Sequence, residues 1–310
     1  MKTWIKVTLL VGLFVASFIL FVFMTFPYEV LKESLSAEIS QSTGYTVRIG
    51  KLSSNFPVGL HASNIKIDSP ASTTTLTLNS LDVDLNVLPL FIGKVSTDVT
   101  LTSGSGVIEL GGSLGILDLI NGITIPSRVT FDSKNFPLDQ AVSFGLAIAA
   151  NGPDANPMVA PLISAIGFTG NLNGKMDLKL DGKNPTLSTG SAAFNLTKAQ
   201  LKLSHPSLGL PDQDLTKADI AAKVEAGSLV VDPKSGFVSD ELELLTEGKI
   251  VLKPDLFGSM MDMKIVFKLD KTMKEKFGFI IDAVTGNSTN EGQLTMQVRG
   301  PVGQPAVTTF

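Results

Sequence analysis

Phe168-Thr169-Gly170-Asn171-Leu172-Asn173-Gly174-Lys175-Met176-Asp177-Leu178-Lys179-Leu180-Asp181 decides the fold class of this 310-residue chain. Phe168, Leu172, Met176, Leu178 and Leu180 fall on one side of an extended backbone, together with Gly170 and Gly174. Thr169, Asn171, Asn173, Lys175, Asp177, Lys179 and Asp181 fall on the other. A period of two belongs to a strand with one apolar and one wet face, and such alternation is the signature of an antiparallel sheet.

The same pattern recurs outward from this stretch. Leu81, Val83, Leu85 and Val87 alternate with Asp82, Asp84 and Asn86. Met261, Met263, Ile265, Phe267 and Leu269 alternate with Asp262, Lys264 and Lys268, and Leu294, Met296 and Val298 with Thr295, Gln297 and Arg299. Less regular strands are expected at 95–101, 124–131, 187–203, 215–224, 229–231 and 242–252. Turn signals separate them: Asp181-Gly182-Lys183-Asn184-Pro185, Ala226-Gly227-Ser228 and Glu247-Gly248-Lys249. The natural topology is a meander of long strands. Its apolar face must meet a second sheet, curl on itself, or meet lipid. Two segments break the pattern. Residues 156–167 hold Pro157, Pro161 and an apolar run. Residues 271–285 carry Met273, Phe277, Ile280, Ile281 and Val284 at helical spacing after Asp270, a candidate N-cap. Both are expected to cap a sheet end or cover its apolar face.

The N-terminal region is different. Residues 7–26 form an uncharged apolar run of 20 residues, preceded by Lys2 and Lys6 and with no acid before Glu29. At 1.5 Å per residue this spans about 30 Å, the thickness of a hydrocarbon core. Basic residues on the N-terminal side place that side in the cytoplasm and the body outside it. A cleaved signal peptide has a shorter apolar core and a small-residue cleavage site, and Met24-Thr25-Phe26-Pro27 offers no such pair. Beyond Pro27, Leu31, Leu35 and Ile39 recur every fourth residue, so an amphipathic helix is expected up to Gly44. Its narrow apolar stripe calls for a partner, and the end of its own sheet is the simplest one. The expected layout is a cytoplasmic N-terminus (1–6), a transmembrane anchor (7–26), an amphipathic stalk helix (27–44) and a β-rich body (45–310).

Composition narrows the function. Net charge is −4 and no Lys/Arg cluster follows the N-terminus, so a nucleic-acid partner lacks its electrostatic footprint. The absence of cysteine excludes thiolate catalysis and cysteine-ligated metal or iron–sulfur sites. A mean hydropathy of +0.29 exceeds what the anchor accounts for, and points to apolar surface on the body that is hidden or displayed. His61 and His205 have no metal-ligand spacing and read as structural or surface residues. Asp82 and Asp84 are explained by strand alternation. Asp212 and Asp214 lack the remaining ligands of a calcium loop. Gly104, Gly106, Gly111 and Gly112 read as lying between strands, with no Lys-Ser/Thr after them to make a phosphate loop. Asn195 and Asn287 head glycosylation-type triplets that arise by chance. No nucleophile–base set can be assembled, so no catalytic, cofactor or metal residue is expected and the chain is not read as an enzyme.

Several strings resemble a known group. Phe26-Pro27-Tyr28-Glu29-Val30-Leu31-Lys32, Thr43-Gly44-Tyr45-Thr46-Val47-Arg48-Ile49-Gly50, Phe56-Pro57-Val58-Gly59-Leu60 and Ala62-Ser63-Asn64-Ile65-Lys66-Ile67 are similar to the start of AsmA-like envelope proteins. Val298-Arg299-Gly300-Pro301-Val302-Gly303-Gln304-Pro305 is similar to the endings of the same group. Within it, the size and the junction at Phe26 most resemble the type II secretion system protein N (GspN) family. The resemblance implies an inner-membrane protein of a two-membrane bacterium, single-pass, with its body in the periplasm. It also implies an accessory role in protein export, beside other secretion-system envelope proteins.

The expectation is therefore a mainly β protein: a transmembrane helix and a short amphipathic helix, then long antiparallel strands in a curved, groove-like or sandwich sheet with one or two capping helices. The expected function is an anchored scaffold of type II secretion. The alternative is a lipid-binding or lipid-transfer module whose apolar sheet face takes acyl chains. An open apolar face favours the alternative, and a filled sandwich core counts against it.

Overall fold

The computed structural model describes residues 21, 25–70, 74–122, 125–151, 166–203, 212–255, 258–271, 274–275 and 293–309. The strands are β1 (Thr46–Asn55), β2 (Gly59–Asp68), β3 (Leu76–Asn86), β4 (Lys94–Ser103), β5 (Gly106–Gly115), β6 (Arg128–Pro137), β7 (Ile166–Lys179) and β8 (Thr189–Leu203). They continue with β9 (Gln213–Asp214), β10 (Lys217–Glu225), β11 (Ser228–Val238), β12 (Leu242–Val251), β13 (Met260–Leu269), β14 (Gln293–Pro301) and β15 (Ala306–Thr309). Helix α1 is Tyr28–Thr43, α2 is Ile116–Ile120 and α3 is Asp139–Asn151. All the strands belong to one antiparallel sheet. It is a meander in chain order, except that the two-residue β9 pairs beside β8 and β10 takes the next place. The sheet is curved and open, and among the described residues no second sheet packs on it to make a sandwich.

Most strands sit near where alternation places them, but the one expected at 124–131 is Arg128–Pro137, the one expected at 229–231 extends over Ser228–Val238, and two further differences stand out. Gly106, Gly111 and Gly112 lie within β5, not between strands. β5 is hard to see because Gly111 and Gly112 interrupt its apolar pattern, while the sheet needs room at both Gly106 and Gly111. Helix α3 was also unforeseen. The apolar run at 156–167, expected to cap or cover the sheet, lies almost wholly outside the described residues, as does most of the helix expected at 271–285. Of the latter, Lys274 N–H donates to the Asp270 carbonyl (2.9 Å), one helical turn.

Strict alternation is broken at several points, and these bend the sheet. Val47 and Leu52 are five residues apart, yet both belong to one apolar cluster with Ala62 and Ile65. The parity changes at Gly50, opposite Asn64, which has a φ of 52°. Asn135 (φ 49°) lies in a register break between β6 and β7, and Lys198 (φ 52°) in one between β7 and β8. β-bulges of this kind increase local twist and bend a sheet. Side chains satisfy backbone donors at the irregularities. Asn135 N–H donates to Asn173 Oδ1 (2.8 Å), and Gly170 N–H to Asp139 Oδ1 (2.9 Å). Such pairing is what lets these breaks persist in a folded sheet.

Helix α1 is laid along the sheet rather than standing off it. Its main packing is against β1, and Leu31 and Leu35 pack on the cluster of Val47, Leu52, Ala62 and Ile65. Ser40 Oγ accepts from Val47 N–H (3.0 Å) at the hinge between helix and strand. Gly44 ends the helix with a φ of 74°, and its N–H donates to the Ser40 carbonyl (3.0 Å). No atom lies within 4 Å of where a Cβ on Gly44 would sit, so the demand there is conformational, not steric. Gly44→Val is therefore expected to lower unfolding free energy by about 1–2 kcal/mol, and Gly44→Asn by clearly less. The urea midpoint of each variant checks this, and equal midpoints for Val and Gly contradict it.

Candidate functional site: an open apolar sheet face

Strand pairing lines up a single apolar row across the sheet. Leu60 pairs with Val83, Val83 with Val99, Val99 with Leu110, Leu110 with Phe131 and Phe131 with Met176. The row continues through Ala192, Ala222, Val231, Gly248, Met263 and Val298. Twelve strands each contribute an apolar residue or glycine at one height. Two residues along, a second row runs Leu85, Thr97, Gly112, Val129, Leu178, Gly190, Val224, Leu229, Ile250, Met261 and Gly300. At 4.8 Å between strands the face extends about 50 Å along its curve.

Among the described residues this face is not filled. In the first row only Val231 is buried (7%), Leu110 is exposed (39%), and the others are half-buried. Phe131 and Phe194 meet edge-on with ring centroids 5.4 Å apart, and both remain half-buried. Soluble monomers rarely leave more than a few hundred Å² of contiguous apolar surface open, and two rows about 50 Å long exceed that.

Among the described residues, helices close only parts of it. α1 covers the β1–β2 edge. α3 crosses one end of the sheet, packing on β7 and β3. Thr77 donates to Gln140 Oε1 from its N–H (3.1 Å) and its hydroxyl (2.6 Å). Phe144 of α3 is buried and meets Tyr45 with centroids 5.9 Å apart. The α3 end is thus stopped by a helix tied to β1, β3 and β7.

The opposite face is charged and paired. Arg128 makes a bidentate pair with Asp177 (2.9 and 2.7 Å). Lys268 pairs with Glu243 (2.9 Å), Lys175 with Asp132 (3.1 Å), and Arg299 with Asp262 (3.1 Å). His61, expected to be structural or at the surface, faces Asp82 across the β2–β3 pair with Nδ1 2.5 Å from Oδ1. Asp84 accepts from Asn55 Nδ2 (2.8 Å), and Asn195 donates to Asp219 (2.7 Å). Asp214 accepts from Gln200 (2.9 Å). His205 and Asn287 lie outside the described residues. Above Gly111 this face has a shallow hollow of about 560 Å³, bordered by Asp98, Glu109, Asp132, Lys175 and Asp177. Among the described residues no group of three or more His, Asp or Glu could hold a metal ion.

The ion pairs set the acid response. The Arg128 guanidinium holds Asp177 below the usual carboxylate range. Hydrogen bonds from Gln297 and Arg299 do the same for Asp262, and those from Thr75 and Arg48 for Asp68. The backbone N–H groups of Asn184 and Lys183 lower Asp181. A carboxylate depressed in the folded state stabilises it above the unfolded value of about 3.9, and that stability is lost as pH falls through the folded value. The urea midpoint is accordingly expected to hold from neutrality to about pH 4 and to drop below it. Asp177→Asn combined with Asp262→Asn should flatten that drop, and an unchanged acid profile would count against this account.

Residues 1–104 match the AsmA family. No curated protein sequence matches the chain. The matched third takes in α1 and strands β1 to β4, with the cluster that seats α1 on the sheet. The similarity is to an envelope-associated family. Among the described residues no helix is long and apolar enough to cross a membrane. The span expected at 7–26 lies outside the described residues, apart from Phe21, Thr25 and Phe26. The half-open apolar row could not be read before the strands were paired. Its only sequence signal was the excess hydropathy, with Val99, Leu110, Phe131 and Met176 at apolar positions of separate strands.

Proposed function

We propose that this chain is a membrane-anchored envelope module that shelters lipid acyl chains on its apolar sheet face. The observation that carries this reading is the row from Leu60 to Val298, apolar on twelve strands and left half-open. The similarity of residues 1–104 to the AsmA family supports an envelope setting. On the wet face Arg128, Lys175, Lys264, Lys268 and Arg299 are paired with carboxylates, so recognition rests on hydrocarbon, worth about 0.8 kcal/mol per buried CH₂. Export of a protein through type II secretion is the reading suggested by the strings around Phe26 and Gly44. It needs the paired polar face or a sheet edge as a docking surface, and the half-open apolar row supplies no reason for it.

Photo-crosslinking in intact cells tests the lipid reading. A benzophenone amino acid at Leu196 lies on the apolar face, seven residues into β8, about 23 Å from the strand's start. The same group at Asn195 lies on the polar face, where Asn195 meets Asp219. Lipid adducts are expected from position 196 and not from 195. Equal adducts from both, or none from 196, would remove the support for this reading.

A further inference from the structure

In an antiparallel meander, alternate connections lie at opposite ends of the sheet. Those joining β1 to β2, β3 to β4, β5 to β6 and β7 to β8 share one end, opposite the end that α3 crosses. Each exposes large apolar side chains: Phe56 (84% exposed), Leu88 and Phe91 (80% and 81%), Leu117 and Ile120 (73% each), and Leu187 (63%). Among the described residues, the connections at the α3 end expose none.

These side chains are held out by ordered backbone. Residues Leu88–Ile92 form a 3-10 turn closed by Gly93, whose carbonyl accepts from Ile116 N–H (2.8 Å) at the start of α2. Asp118 of α2 pairs with Lys183 in the β7–β8 connection (3.3 Å). Three of the four connections are therefore tied to one another as a rim. With two strand spacings between successive connections, the rim extends about 29 Å from the β1–β2 connection to the β7–β8 connection.

Helix α1 shows which way the rim points. It ends at Gly44 beside the start of β1 and packs chiefly on β1, with Leu31 on the cluster that includes Leu52. It therefore runs back along β1, and its first residues lie toward the Phe56 end. Phe26 and Val30 there are exposed (43% and 62%). The apolar run 7–26 directly precedes these residues in the chain.

We propose that this rim is a bilayer-contact surface, seated in the interface of the membrane that residues 7–26 cross, so that the apolar sheet face opens at the bilayer. The contact is apolar rather than electrostatic, because Lys183 is paired with Asp118 and the rim's exposed side chains are chiefly large and apolar. It stands on the rim and on α1, and holds whether or not the sheet face carries lipid.

The chain has no cysteine, which permits single labels. Phe91→Cys, Leu117→Cys and Leu187→Cys, with Ser105→Cys in the β4–β5 hairpin at the α3 end as control, are each labelled with an environment-sensitive fluorophore. The full chain is reconstituted into phosphatidylcholine vesicles with and without spin-labelled lipid. Blue-shifted, strongly quenched emission is expected at 91, 117 and 187, from a depth of about 5–10 Å into the interface. It should be unchanged by high salt or by added anionic lipid, and emission from 105 should stay aqueous. Aqueous emission at the three rim positions overturns the proposal and leaves the rim to a protein partner. Equal quenching at 105 also overturns it, since the body would then lie flat on the membrane. Crosslinking from Leu196 reads the sheet face separately, so either result can fail alone.

Discussion

Phe131→Asp combined with Met176→Asp is expected to abolish lipid adducts from a crosslinker at Leu196. Phe131 and Met176 are paired across β6 and β7 and lie between the Phe56 end and Leu196 on the same face. Two carboxylates there must either be stripped of water by an acyl chain or keep water on the face. An uncompensated buried charge costs several kcal/mol, and each 1.4 kcal/mol is about tenfold in occupancy. Loss of at least about tenfold in adduct yield is therefore the expected result. The fold itself should survive, because both side chains are only half-buried and the wet face keeps its ion pairs. Far-UV circular dichroism of the double variant checks that. Phe131→Leu with Met176→Leu should leave adduct yield near that of the native chain. Undiminished adducts in the aspartate variant would mean that lipid does not lie along this row.

Gly106→Ala should produce the larger loss of stability. A Cβ on Gly106 would sit 2.3 Å from the Asn135 carbonyl oxygen and 2.4 Å from the Phe136 Cα. Both are backbone atoms of β6, so neither can swing aside. The obstacle lies where Asn135 takes its φ of 49° and the register of β6 breaks. Phe136, which is buried at 5%, would have to move with it. Overpacking against fixed backbone typically costs about 1–3 kcal/mol, and relief of the bulge should bring the total toward about 4 kcal/mol. Urea unfolding of the full chain measures this. A loss within the ordinary surface range of about 0.5 kcal/mol would show that β5 and β6 approach less closely than described.

Much of the fold was legible because strands and helices have different periods. Asp82, Asp84, Lys175 and Asp177 alternating with apolar neighbours were enough to mark antiparallel strands, and Leu31, Leu35 and Ile39 to mark a helix before Gly44. The meander followed from the short turns. β5 was not legible, because Gly106, Gly111 and Gly112 carry no side chain by which to read a face. α3 was missed because Asp139–Asn151 is apolar on most sides and has no clear stripe. Positions where parity changes, at Gly50 and Asn64, Asn135 and Lys198, also give no warning in sequence. Asparagine and lysine also occur on the wet face of regular strands, as Lys175 and Asn195 do.

The candidate site divides the same way. Sequence alone determined that the strands have one apolar face, that the chain has no thiol chemistry, and that an apolar segment precedes the body. It did so because side-chain polarity and spacing are local properties. Whether the apolar face was closed in a sandwich or left open depended on where residues far apart in the chain came to rest. Pairing set Leu60, Phe131, Met176 and Val298 at one height. The bulges curved the sheet, and α1 covered only the β1–β2 edge. The grouping of Phe56, Phe91, Leu117 and Leu187 at one end was likewise settled by strand direction, which only the folded sheet defines.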